Sequence, residues 1–135
     1  HNMEEFDGSD NPYLNIQYKL FRKRIVELYL TMGRILTMDD KADQYRSLLT
    51  AFIHIEEADS RFIKNTMDAV AENKIRELEI ASLVLVNRLF TQSCRMQIYG
   101  MKDLLLTQEQ IVHFDRAMDA KEIIEDEKKR KVDDR

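Results

Sequence analysis

Leu14, Tyr18, Phe21, Ile25, Leu28, Met32 and Ile35 follow one another at alternating spacings of four and three. That spacing gathers seven apolar side chains on one stripe of an α-helix and on no single face of a strand. A run of this length without a break predicts one amphipathic helix with a coiled-coil-like seam. Asn11 offers a side-chain oxygen as N-cap, and Pro12 falls at the first helical position, where a missing N–H costs nothing. Gly33 weakens the last turn, so the helix should end near Leu36.

The rest of the chain extends the pattern. Three glycines and one proline in 135 residues leave little of the punctuation that strands and turns require. After the first helix, Thr37 or Asp39 can cap a second, predicted to run to about Glu72 with Tyr45, Leu48, Phe52, Ile55, Phe62 and Ala69 on its apolar stripe. Asn73 suits a left-handed C-cap. A third helix, from about Arg76 to Leu105, is apolar on more than one side through Leu83, Val84, Leu85 and Val86, and is expected to be the most buried. Thr107 and Gln110 form a capping box for a last helix from Gln108, with Ile111, Phe114 and Met118 as a short apolar face.

The predicted fold is therefore all-α: an antiparallel bundle of three long helices plus a shorter fourth. Residues 1–11 read as an acidic leader that includes an expression remnant, His1-Asn2-Met3. Residues 12–124 form the bundle. Residues 125–135 are so charged that they should fray into solvent.

Charge and hydropathy narrow the function classes. A net charge of −4 gives no reason to expect nucleic acid as a partner. No apolar run approaches the roughly 18 residues of a membrane span; the best, Ile80 to Val86, contains Ser82 and ends at Asn87 and Arg88. The first residues carry no secretory signal pattern. A single cysteine, Cys94, leaves no internal disulfide to form and fits a reducing compartment.

The chemistry-bearing residues concentrate in FIHIEEADSRF, residues 52–62. His54, Glu56 and Asp59 could serve as metal ligands or as an acid–base pair. A helical di-iron site, however, draws Glu-x-x-His from two helices and a further glutamate from each of the other two. No Glu-x-x-His is present, and the third helix offers no acid between Glu79 and Asp103. Asp59 instead falls on the apolar stripe of the second helix, where a polar partner would fix helix register; Arg88 and Asn87 lie nearest in bundle depth. Glu56 and Glu57 fall on flanking faces, and Glu57 precedes Arg61 by four residues, the spacing of an exposed ion pair. Cys94 shares a face with Leu83, Asn87, Phe90, Ile98 and Met101 and reads as a packed, inert thiol. No catalytic residue, cofactor site or metal site is expected. Lys19, Arg22 and Lys23 form a basic patch on the first helix, a solvated face or a contact for phosphorylated ligands or lipid headgroups.

Two stretches, PYLNIQYKLFRKRI and AVAENKIRELEIASLVLVNRLFTQSCRMQIYGMKDLLL, carry a resemblance through Ile75, Ala81, Ser82, Leu83, Asn87 and the KDLLL ending. From Pro12 to Leu106 the chain resembles the cytoplasmic, PhoU-like helical region that follows the membrane part of bacterial sodium/phosphate cotransporters. The resemblance implies a non-enzymatic regulatory or interaction domain at the inner face of the membrane. Its implied partners are the membrane domain of the same transporter, another protein or a second copy. It also implies metal clusters held by repeated acidic motifs of Glu or Asp, three intervening residues and Asp. Asp39 and Asp43 match that spacing at a helix start, whereas Glu56 and Asp59 are three apart. A metal-binding bundle or a free-standing dimeric adaptor are the alternative functions.

Overall fold

The computed structural model describes residues 11–133, with side chains described as far as residue 120. Four helices, Pro12–Leu36 (α1), Lys41–Ala71 (α2), Glu77–Leu105 (α3) and Gln108–Asp133 (α4), account for almost all of these residues, without a strand among them. The fold is all-α. Residues 1–10 of the acidic leader lie outside the described residues.

Each helix start has a local cause. Asn11 Oδ1 accepts from the backbone N–H of Tyr13 and Leu14 at 2.9 and 3.4 Å, closing α1 as its cap and Pro12 predict. The cap of α2 is Asp40, accepting from Ala42 and Asp43 at 2.7 and 3.1 Å, rather than Thr37 or Asp39. Thr37 is drawn back to donate its hydroxyl to the Arg34 carbonyl at 2.8 Å, which removes it from the cap position. Asn73 takes a φ of 57° after α2, the left-handed conformation that asparagine tolerates better than most residues. Thr107 and Gln110 close α4 reciprocally, at 3.1 and 3.2 Å. The fourth helix is described as far as Asp133, past the Ile124 expected as the end of the bundle. With 26 residues it is as long as α1, with 25. Six of the seven residues 125–131 are glutamate, lysine or arginine, good helix formers that need no core to favour the conformation; Asp126 is the exception.

End-to-end contacts set the up-and-down order. The start of α1 meets the α2–α3 turn, where Asn11 Nδ2 donates to the Lys74 carbonyl at 3.0 Å. Its other end meets the start of α2, where the buried Gln44 donates to the Ile35 carbonyl at 3.2 Å. At that same end Lys41 reaches the last turn of α3, and Gln110 of α4 donates to the Lys41 carbonyl at 3.0 Å.

The centre of the bundle is α2, which packs against all three other helices. It buries ten residues against seven for α3, which reverses the expected ranking. The apolar run of α3 is only half covered: Leu83 and Val86 are buried while Leu85 and Leu89 are exposed. The core divides in two along the bundle. One cluster joins Ile35, Leu48, Phe52, Ile55, Ile98 and Phe114. The other joins Leu14, Phe21, Phe62, Ile75, Leu83 and Val86.

Candidate functional site

Between the two apolar clusters lies a layer of polar side chains contributed by α2 and α3. Asp59 is buried, and Asn87 Nδ2 donates to its Oδ1 at 2.8 Å. Arg88, the other residue at this depth, is exposed at the rim of a groove between α2 and α3. One turn away, Arg95 Nε and Nη2 donate to Glu56 Oε1 and Oε2 at 2.5 and 2.8 Å. Glu56 is only 3% exposed. Its expected position on a flanking face is therefore wrong, because α2 is covered from three directions and its buried arc is wider than one seam. The bidentate contact raises the pKa of the Arg95 guanidinium further, against the opposing effect of burial. The groove, about 790 Å³, continues past these residues along Phe62, Thr66, Ile80 and Val84. Among the described residues, Asn87 Oδ1 and Thr91 Oγ1 are buried without a hydrogen-bond partner.

Arg24 approaches the same layer from α1. Its guanidinium stacks 4.6 Å from the Phe90 ring centre and 5.6 Å from that of Phe21. Burial pulls its pKa down, opposed by the negative charge of Cys94 when ionised and of Asp59. Burial in turn pushes the Cys94 thiol up. A buried thiol shifted in that direction is a poor nucleophile at neutral pH.

His54, Glu56 and Asp59 do not converge. His54 is exposed and faces a groove between α1 and α2, while Glu56 and Asp59 turn to Arg95 and Asn87 on α3. Among the described residues, no three His, Cys, Asp or Glu side chains come together as metal ligands. Asp39 and Asp43 flank the start of α2, and Asp43 is paired with Arg46.

The α1–α2 groove has a different character. About 620 Å³ in volume, it is bordered by Lys23, Arg24, Arg34, Arg46 and Arg61, with Glu27 and Glu57 as its carboxylates. In a chain of net charge −4, this is a local excess of positive charge. Of the basic patch read from the sequence, Lys19, Arg22 and Lys23 are all exposed. Arg22 lies 4.4 Å from the Tyr18 ring centre, and Lys23 sits 3.8 Å from Glu27. Arg34, Arg46 and Arg61 were not evident as members of the patch, because they come from two helices and adjoin only once the α1–α2 hairpin has closed.

No helix among the described residues is long and apolar enough to cross a membrane. No protein family, curated protein or solved structure matches this chain.

Proposed function

We propose that this chain is a non-catalytic regulatory and interaction domain, akin to the PhoU-like cytoplasmic region of sodium-dependent phosphate cotransporters and seated at the inner face of a membrane. The observation that carries the reading is that α1 has two working faces. One is sealed into the bundle through Leu14, Phe21 and Ile35; the other displays Ile16, Leu20, Val26 and Leu30 among lysines and arginines. A helix with a second apolar face has surface left for a partner. Seating that face on the membrane would hold the domain beside the membrane domain of the same transporter.

The use made of the reactive side chains favours an interaction role over a catalytic one. Glu56 is taken up by Arg95 and Asp59 by Asn87, while burial raises the pKa of Cys94. These contacts fix the register of α2 against α3 instead of presenting an acid–base pair to solvent.

The coding region around residues 1–135 tests the proposal. Apolar spans of roughly 18 or more residues in the same reading frame, upstream of the codon for Glu4, support it. A reading frame that starts at Met3 overturns it.

A further inference from the structure

The outward face of α1 has a composition of its own. Ile16, Leu20, Val26 and Leu30 are between 41% and 69% exposed, and Lys19, Lys23 and Arg34 lie on the same side of the helix. At 100° per residue these side chains point away from Leu14, Phe21, Leu28 and Ile35, which face the bundle. From Ile16 to Leu30 the strip is about 21 Å long. Over the whole of α1, Lys19, Arg22, Lys23, Arg24 and Arg34 are set against a single carboxylate, Glu27. Arg46 and Arg61 of α2 extend the positive charge along one edge.

We infer that this face docks on an anionic lipid bilayer, with α1 lying in the plane of the headgroups. Aliphatic side chains alternating with long basic ones suit that boundary, because the aliphatic groups enter the acyl edge while the ammonium and guanidinium groups reach back to phosphate. Anionic lipid supplies the negative charge that the strip lacks. A second copy of the chain fits less well. Two-fold pairing of the strip would bring Lys19, Lys23 and Arg34 against their own kind, with only Glu27 to offset them. Four partly exposed aliphatic residues also make a small apolar contact, so attachment should depend on charge and be reversible.

The biological setting rests on the transporter reading, but the contact itself is tested on the full chain alone. Sedimentation is measured with vesicles of phosphatidylcholine, and with vesicles of phosphatidylcholine and phosphatidylglycerol. Binding to the mixed vesicles only, weakened by added salt, is the expected result. Lys19→Glu with Lys23→Glu should weaken partitioning by at least about tenfold, and Leu20→Ser with Leu30→Ser should also weaken it. All four positions are exposed, so helical circular dichroism should be unchanged in both variants. Equal binding to the two vesicle types, or none to either, overturns the inference. So does a dimer in light scattering that the same substitutions dissolve. A chain that binds mixed vesicles but starts at Met3 keeps the bilayer contact and loses the transporter reading; a transporter domain indifferent to lipid does the reverse.

Discussion

Arg95 grips Glu56 with two hydrogen bonds across the α2–α3 interface, and the two partners differ in their access to water. Glu56 is 3% exposed, whereas the Arg95 side chain is 26% exposed. The consequences of breaking the pair should be unequal. Arg95→Ala leaves a carboxylate buried without its partner and should cost about 3–5 kcal/mol. Glu56→Gln keeps an acceptor for Arg95, which can also turn toward solvent, and should cost about 1–3 kcal/mol. Urea denaturation of both variants measures the difference. Equal losses would mean that Glu56 reaches water in solution.

Asp59 and Asn87 form the second polar contact across that interface, a carboxylate accepting from an amide. Asp59→Ala removes the acceptor for Asn87 Nδ2 and leaves the amide buried with neither end satisfied, since Oδ1 already lacks a partner among the described residues. The expected loss is about 1–3 kcal/mol, with part of it from the carboxylate charge that favours ionised Arg24. Asp59→Leu combined with Asn87→Leu removes both polar partners together. The double variant should lose less than the sum of the two single changes, by about 0.5–3 kcal/mol. Additive losses in a double-mutant cycle would show the two side chains to be energetically independent.

Glu79 should make stability depend on pH at the acid end. Its Oε1 accepts from the Arg76 backbone N–H at 3.0 Å, which closes the start of α3 and holds the carboxyl pKa below its ordinary value. A group whose folded-state pKa is depressed stabilises the fold above its unfolded pKa and loses that effect as pH falls through the folded value. Wild type should therefore exceed Glu79→Gln in stability by a constant margin above about pH 5, with the margin closing below about pH 4. Thermal denaturation of both proteins across that range measures it. A margin independent of pH would place the stabilisation outside the Glu79 charge.

The helices were largely legible in the sequence because their signals are local. Asn11 with Pro12, Asn73, and Thr107 with Gln110 mark ends whose geometry is decided within a few residues. The depth of Asp59 was legible too, since it interrupts a stripe that is otherwise apolar. Glu56 was not. It follows Ile55 by one residue, a turn of 100° that lands on solvent if α2 has one neighbour and on Arg95 if it has three. How many helices surround α2 depends on tertiary packing, which the periodicity of α2 does not encode. The ranking of α3 failed for the same reason, since Leu85 and Leu89 look like core until the number of covering helices is known.

Phosphate uptake by cells carrying the proposed cotransporter, with and without residues 12–133, tests the central claim most directly. Transport should persist without the domain, because the transporting machinery would lie in membrane segments outside this chain. Its response to external phosphate should change at equal protein abundance. Uptake that responds identically with and without the domain, or a full-length protein that moves no phosphate, would contradict a regulatory role in phosphate transport.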